Sequence, residues 1–171
     1  MSANPLLAPL SRVRIFAGLT EAQLTAIARS AERIVYKPGD IITAEGAEAD
    51  ASVLIVGGDT ECIIEGNPSR VEPIEAGSLV GEMAMFIEHV YGVTTRAAGS
   101  ARALRIHRKA MHLLMLEDPA LADHCVRVIA SRLNTVADEL RRIDSDLAET
   151  IMPSPAATAP EATATLALPL H

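Results

Sequence analysis

The segment from Gly81 to Thr94 carries the residue types best suited to holding a small ligand. Gly81 can adopt backbone conformations that other residues avoid, so the chain can turn sharply there and approach a bound molecule closely. A short helix beginning near Met83 would direct its first backbone N–H groups at an anion, which the helix dipole also favours. Glu82 supplies a carboxylate that accepts hydrogen bonds from hydroxyl groups. The segment therefore predicts a site for a small anionic ligand.

Other polar residues do not form a pattern that predicts catalysis or metal binding. His107 and His112 are five residues apart, whereas a zinc-binding pair on a helix needs ligands three or four residues apart on one face, with a third ligand nearby. Asp144 and Asp146 would face different directions on a helix, so we expect them to be solvated. The sequence has no nucleophile elbow, phosphate loop or dinucleotide-binding fingerprint. We expect no enzyme activity and no metal site.

The elements that must position this segment are expected to be short antiparallel strands. From about residue 32, β-prone runs alternate with turns that contain Gly or Pro, among them Gly57-Gly58 and residues 65–68. Strands this short, at this spacing, predict an antiparallel sandwich or barrel of about eight strands. The predicted strands are Arg33–Tyr36, Ile41–Thr43, Ser52–Val56, Thr60–Ile64, Arg70–Ile74, Leu79–Val80, Val93–Ala97 and Ala101–Ile106.

Helices are predicted on both sides of the strands. Thr20 and Gln23 have the spacing of a capping box, which predicts that a helix begins at this point. His107–Leu116 is predicted as a second helix. Asp118-Pro119 then supplies an N-cap followed by proline at the first helical position, and this pattern predicts a long helix to about Glu149.

The apolar positions of the long helix form one stripe. From Ile129 onward they are spaced alternately four and three residues apart, which is a heptad pattern. The stripe either packs on the barrel or forms a dimer with a second copy, and we favour the dimer because the spacing persists over several turns. Its members are Leu121, Cys125, Ile129, Leu133, Val136, Leu140, Ile143 and Leu147.

Several segments resemble, in order and spacing, the cyclic-nucleotide-binding domain family of bacterial catabolite activator proteins, protein kinase A regulatory subunits and gated channels. They are IFAGLTEAQLTAIA, YKPGDIITAEG, LIVGGDTECI, and AGSLVGEMAMF followed by TTRAAGSARALRI. The resemblance covers about Leu10–Asp144. It implies a mainly β fold with flanking helices, an antiparallel double-stranded β-helix or jelly-roll barrel followed by a long C-terminal helix. It also implies a non-enzymatic small-molecule sensor or regulatory module.

The resemblance assigns the ligand site to the family's phosphate-binding cassette. In the family, the glutamate that matches Glu82 binds a ribose hydroxyl. The small residue that matches Ala84 keeps the pocket open. An arginine further along pairs with the cyclic phosphate through two hydrogen bonds. The ligand-binding residues predicted here are Gly81, Glu82, Met83, Ala84, Tyr91, Gly92, Val93 and Thr94.

The phosphate-binding arginine is absent from its expected position. Counting forward from Gly81 and back from Ile106 places this position at Tyr91, and a loop longer by one residue would place it at Gly92. Arg96 lies five residues further on, and an odd offset along a strand points to the opposite face. A bidentate, charge-assisted hydrogen bond contributes roughly 1.5–3 kcal/mol. We therefore predict weak or no binding of cyclic AMP and cyclic GMP.

A tyrosine at position 91 is compatible with two alternative functions. Its hydroxyl can donate one hydrogen bond to a phosphate, so a modified pocket would still bind a cyclic nucleotide or a related small anion, especially if an arginine from elsewhere reaches it. Its ring can instead fill the pocket, so the domain would bind no nucleotide and act as a dimeric protein-interaction module. No other cofactor is indicated.

Composition and charge limit the partners and the compartment. The formal net charge is −7, with 22 acidic and 15 basic residues, so we expect no DNA binding. No apolar run approaches the ~18 residues of a membrane span, and no signal peptide is recognised, so a cytoplasmic protein with free Cys62 and Cys125 is expected. The predicted organisation is a helix and barrel over residues 1–118, a dimer or output helix over 119–149, and a disordered tail over 150–171. The protein partner is not indicated.

Overall fold

The computed structural model describes residues 6–64 and 70–151, without the side chains of residues 149–151. The described chain is divided into two compact units between Ser131 and Arg132. The strands are β1 (Glu32–Tyr36), β2 (Ile41–Thr43), β3 (Glu48–Ala49), β4 (Ala51–Ile64), β5 (Arg70–Ile74), β6 (Leu79–Val80), β7 (His89–Val90) and β8 (Thr94–His107). The α-helices are α1 (Leu7–Arg12), α2 (Glu21–Ser30), α3 (Arg108–Glu117) and α4 (Pro119–Ile151), with short 3-10 helices at Arg14–Phe16 and Glu82–Met85.

The strands are antiparallel and form two sheets. Six strands form one sheet in the order β1-β8-β4-β5, with β2 also on β8 and β6 also on β4, and β3 pairs with β7. The predicted fold, mainly β in jelly-roll style with flanking helices and a long C-terminal helix, is confirmed. Within residues 6–64 and 70–151, however, the hydrogen-bonded sheet does not close into a barrel, because the ladder ends at β1 and β5.

Two pairs of predicted strands are in fact two long strands. β4 and β8 each contain 14 residues, so the prediction of a turn at Gly57-Gly58 was wrong. The register between β4 and β8 shifts on both sides of these glycines, which marks an irregularity inside a continuous strand. Gly58 has φ +100, and a Cβ there would lie 2.1 Å from the carbonyl oxygen of Ser100. The glycine pair therefore permits close strand contact rather than a reversal of the chain.

The capping box predicted for α2 is confirmed. The backbone N–H of Gln23 donates to Thr20 Oγ1 at 3.3 Å, and the Gln23 side chain accepts from the backbone N–H of Thr20 at 3.0 Å. Leu24, Ile27 and Ala28 of this helix are buried in the core cluster that lies between the helices and the sheet. The cap thus fixes where α2 begins. The apolar face of this helix packs in the core of the first unit.

The start of α4 is also confirmed, at Pro119. Asp118 Oδ1 accepts from the backbone N–H groups of Ala120 and Leu121 at 2.9 and 3.1 Å. Leu121 and Cys125 are buried in the core cluster, and burial raises the pKa of the Cys125 thiol to about 11. Both cysteines are free, as predicted.

The remaining stripe of α4 is exposed in the single chain. Its side chains retain between 51% and 61% of their accessible surface, and they are Leu133, Val136, Leu140, Ile143 and Leu147. The dimer and the domain bounds drawn from this stripe remain predictions.

The predicted turn at residues 65–68 lies outside the described residues, as does the predicted tail except for its first two positions, 150 and 151. The described residues include no helix long and apolar enough to cross a membrane.

Candidate ligand-binding cassette

The cassette begins with a tight turn at Gly81. This residue has φ +65, in the left-handed region that glycine tolerates best. A single 3-10 turn follows at Glu82–Met85, and the backbone N–H of Ala84 donates to the carbonyl of Gly81 at 2.9 Å. The helix predicted near Met83 is therefore present as one short turn that starts one residue earlier.

Ser52 on β4 supports this turn through its side chain. Its side chain is fully buried on β4, and its hydroxyl lies 2.8 Å from the carbonyl of Gly81 and 3.2 Å from that of Glu82. Sequence reasoning missed this residue. The available signal was a lone hydroxyl at the start of the apolar run Ser52–Val56, since a buried hydroxyl must find a partner.

Tyr91 occupies the space beside the turn. It retains 6% of its surface and packs in a small buried cluster with Ala49 and Ala84. Its hydroxyl donates to the carbonyl of Ala51 at 2.8 Å. A Cβ placed on Gly81 would lie 2.7 Å from Cε1 of the tyrosine ring. The ring therefore fills the gap that the missing Gly81 side chain leaves.

The chemistry of Tyr91 is that of a neutral phenol. Burial raises its pKa above the usual value, and the nearby Arg105 guanidinium opposes this shift without cancelling it. The hydroxyl thus keeps its proton at neutral pH and donates to Ala51. Ala84, expected to keep the pocket open, is itself fully buried against Tyr91.

The end of the cassette is tied to the loop between β2 and β3. The backbone N–H of Tyr91 donates to Ala47 at 3.0 Å. Val93 accepts through its carbonyl from the Thr43 hydroxyl at 3.1 Å, and Thr94 accepts through its hydroxyl from the Glu45 backbone N–H at 3.1 Å. These groups hold the loop.

Gly92 is exposed, and a Cβ on it would meet nothing within 4 Å. The structure therefore brings Gly81, Ala84 and Tyr91 together in contact, while Gly92 stays apart from that cluster. Whether any of the predicted site residues touches a ligand remains a prediction.

Two residues of α3 fasten the middle of the cassette. Arg108 Nη1 donates to the carbonyls of Ile87 and Ala49 at 2.8 and 3.1 Å. His112 Nε2 lies 2.7 Å from the carbonyl of Phe86. His112, which the sequence analysis set aside as a zinc ligand, contacts the backbone. These contacts connect the cassette to the helix that directly precedes α4.

Arg105 is the cation that sequence reasoning missed. It follows Ala101 and Ala103 at even spacing on β8, so its side chain starts on the same face as these buried residues. Its Nη2 lies 2.7 Å from Asp50 Oδ1, and its Nε is buried with no hydrogen-bond partner. Burial disfavours its charge, but Asp50 outweighs burial and leaves the Arg105 pKa raised.

Arg96, the arginine that the sequence analysis considered as a substitute, is engaged elsewhere. Its Nε donates to Glu61 Oε1 at 2.8 Å. Within residues 6–64 and 70–151, no group of three or more His, Cys, Asp or Glu side chains could hold a metal ion.

A surface cavity of about 510 Å³ lies on the first unit away from the cassette. It is lined by residues of β4 and β5 and by neighbouring positions: Gly58, Asp59, Thr60, Glu61, Val71, Pro73, Ile74, Glu75, Ala76 and Ala98.

Comparison with known proteins decides the family. The model of the Cyclic nucleotide-binding domain matches residues 33–118, half of the chain. The chain belongs to the cyclic nucleotide-binding domain family. The match spans every strand described above except the first residue of β1, so the family resemblance and the observed fold agree.

Two curated relatives of this cyclic nucleotide-binding domain are regulatory proteins. One is the cAMP-dependent protein kinase regulatory subunit of Blastocladiella emersonii, 26% identical over 109 residues, covering 62% of this chain and 27% of the relative. The other is the CRP-like cAMP-activated global transcriptional regulator of Mycobacterium tuberculosis, 22% identical over 145 residues, covering 83% and 62%. The chain thus spans less than two thirds of either relative's length.

Two solved structures share the fold. The cyclic nucleotide-binding-like protein of Brucella abortus is 28% identical with a TM-score of 0.62, covering 67% of this chain and 100% of that one. The N-terminal domain of a transcriptional regulator from Streptomyces coelicolor has a TM-score of 0.69 at 21% identity, covering 77% and 94%. The second likeness concerns the fold alone.

Proposed function

We propose that this domain is a non-enzymatic regulatory module that binds cyclic AMP and cyclic GMP weakly or not at all, and that it acts as a homodimer. The observation that carries the proposal is the burial beside Gly81 of Tyr91, the residue to which counting along the sequence assigns the arginine position. Its ring fits against Gly81 and its hydroxyl donates to the Ala51 carbonyl at 2.8 Å. The phenol therefore fills the side of the cassette where a phosphate would need a cation.

The energies support weak binding. A nucleotide in this space must displace the tyrosine and break its hydrogen bond, at a cost of about 1 kcal/mol before any loss of packing. It also forgoes the roughly 1.5–3 kcal/mol of a bidentate arginine contact. Together these terms weaken binding by about 100-fold or more relative to an arginine-containing cassette.

The proposed output is self-association through residues 119–149, with a further protein partner. The exposed stripe of α4 supports this, since apolar side chains at heptad spacing gain most by packing on another helix. Residues 119–149 contain six acidic residues and four arginines, which disfavours direct DNA contact by this helix. The relatives named above are regulators as well.

Calorimetric titration with cyclic AMP and cyclic GMP tests the proposal. The unmodified protein should show no saturable micromolar heat, and Tyr91→Arg should gain binding. Tyr91→Phe is the matched control, because it keeps the ring and adds no cation, and it should not gain binding. Saturable micromolar binding by the unmodified protein would contradict the proposal.

A second candidate rests on Arg105. Its unpartnered, buried Nε and its electrostatic coupling to Tyr91 favour a modified pocket that takes a small anion. In that case inorganic phosphate should bind the unmodified protein, and Arg105→Met should abolish the binding. Absence of phosphate binding leaves the first function.

A further inference from the structure

The surface cavity beside β4 and β5 is a candidate for a ligand site of its own. Its volume of about 510 Å³ lies within the roughly 300–1,000 Å³ that is usual for small-molecule sites. The described residues that line it include none of those predicted for the cassette. A ligand in this cavity would therefore bind without touching the cassette.

Two glycines and a strand irregularity shape the cavity. The register between β4 and β8 shifts between Gly58 and Thr60, and such a bulge bends a strand locally. Gly58 lines the cavity without a side chain. At Gly99 a Cβ would lie 2.8 Å from Asp59 Oδ2, so the glycine leaves room for this carboxylate. The local backbone thus positions Asp59 in the lining.

The charged residues that line the cavity are all acidic, namely Asp59, Glu61 and Glu75. Glu61 Oε1 accepts from Arg96 Nε at 2.8 Å, so a cation already balances its charge. In the part of the chain that the structure describes, neither Asp59 nor Glu75 forms an ion pair, and both residues are exposed. Two negative charges therefore remain for a ligand to neutralise.

Much of the remaining lining is apolar. Val71 retains 52% of its surface, and Pro73, Ala76 and Ala98 are exposed and line the cavity with it. Methylene chains cover such a surface while the ammonium groups they carry stay hydrated, as the side chain of lysine shows. An aliphatic chain with an ammonium group at each end therefore matches both the apolar and the acidic part of the lining.

Other classes of ligand match this lining less well. The carboxylates of Asp59 and Glu75 repel an anion. Calcium takes about six to eight oxygen ligands, whereas no group of three or more His, Cys, Asp or Glu side chains among the described residues could hold a metal ion. A peptide could extend the sheet at β5, where the described ladder ends, but Pro73 in this strand has no N–H to donate.

We propose that this cavity binds a linear aliphatic diamine or polyamine. Its ammonium groups pair with Asp59 and Glu75, and its methylene chain lies on Val71, Pro73 and Ala98. The site goes beyond the proposed function of the domain, because neither the cassette nor α4 lines it.

Calorimetric titration of the full chain at low ionic strength tests the site, because salt screens exposed charges. The probes are 1,4-diaminobutane, spermidine and, as the matched monoamine, butylamine. The diamine and the polyamine should saturate one site per chain. Butylamine should bind at least about fivefold more weakly, because it reaches a single carboxylate. Equal affinity for butylamine, or no saturable binding of either longer amine, overturns the inference.

Charge variants locate the bound amine. Asp59→Asn and Glu75→Gln should each raise the Kd of spermidine about fivefold. Glu21→Gln is the matched control, because it removes an exposed carboxylate of α2 that does not line this cavity, and it should leave the Kd within about twofold. All three side chains are exposed, so the melting temperature should not fall. Equal weakening by the three variants would reveal general attraction to an acidic protein and overturn the assigned site.

A change of shape separates the cavity from its charge. Ala98→Leu keeps every carboxylate and adds bulk to the lining, so it should raise the Kd of spermidine at least about fivefold. Ala98→Ser, which adds little bulk, should leave the Kd within about twofold. Undiminished binding by Ala98→Leu overturns the inference. It is also overturned if N-acetyl-arginine amide binds more tightly than spermidine, because the cavity would then take a basic side chain of a protein.

Discussion

The cassette and the distal part of α4 differ in how their surfaces are completed. In the cassette, the Tyr91 hydroxyl and the Gly81 carbonyl have partners within the chain, and the space beside Gly81 contains a ring. On α4, five apolar side chains at heptad spacing each keep more than half of their surface exposed. Contacts within the chain therefore satisfy these groups of the cassette, whereas the described part of the chain leaves the α4 stripe uncovered. We expect self-association that does not depend on a nucleotide.

The largest effect is expected on the helix. Leu140→Asp places a charge in the apolar stripe of each helix of the proposed homodimer and should weaken the dimer by about 3 kcal/mol or more, at least about a hundredfold in Kd. The monomer should keep its melting temperature because this side chain is 61% exposed. Leu116→Asp, on α3 and 80% exposed, is the matched control. If both variants weaken the dimer equally in analytical ultracentrifugation, the dimer interface does not lie on the α4 stripe.

The next effect probes the support of the cassette. Ser52→Ala removes the hydroxyl that contacts the carbonyls of Gly81 and Glu82 and should lower the free energy of unfolding by about 1–3 kcal/mol. Ser11→Ala, whose hydroxyl bond is exposed, should change it by less than about 0.5 kcal/mol. Urea denaturation measures both. An unchanged midpoint for Ser52→Ala would show that the turn does not need this contact.

A smaller effect concerns the phenol itself. Tyr91→Phe should cost about 1 kcal/mol at neutral pH, because the Ala51 carbonyl loses its donor. Burial raises the pKa of Tyr91, so its protonated form stabilises the fold fully below the unfolded-state value near 10. This contribution is lost as the pH rises through the folded-state value. The two proteins should therefore converge in stability above about pH 10. If the difference in stability between the two proteins instead widens above that pH, Tyr91 is not a buried, neutral phenol.

The smallest effect is expected on the outer side of α4. Arg141→Ala breaks an ion pair with Asp138 in which both side chains are more than 70% exposed. Such pairs contribute little, so neither stability nor the dimer Kd should change measurably. A clear loss of dimer would show that the interface extends beyond the heptad stripe.

Local features of this fold were predictable from the sequence because their causes lie within a few residues. The capping box of Thr20 and Gln23 and the start of α4 at Pro119 each depend on neighbours one turn away. The Gly57-Gly58 pair was not predictable in this way. Two glycines permit either a turn or close strand contact, and the partner strand, some 40 residues further on, selects the second.

The sequence by itself determined the family, because motif order and residue type need no coordinates. The cassette as the ligand site, with Tyr91 at the arginine position, stays a prediction from the same motifs. Tertiary structure alone decided what surrounds Tyr91. The tyrosine ring meets Gly81 and its hydroxyl meets Ala51, 40 residues away in the chain. Ser52 and Arg105 came to the site in the same way, through strand register. Such contacts depend on how strands far apart in the chain pair, and a single short motif does not include both partners.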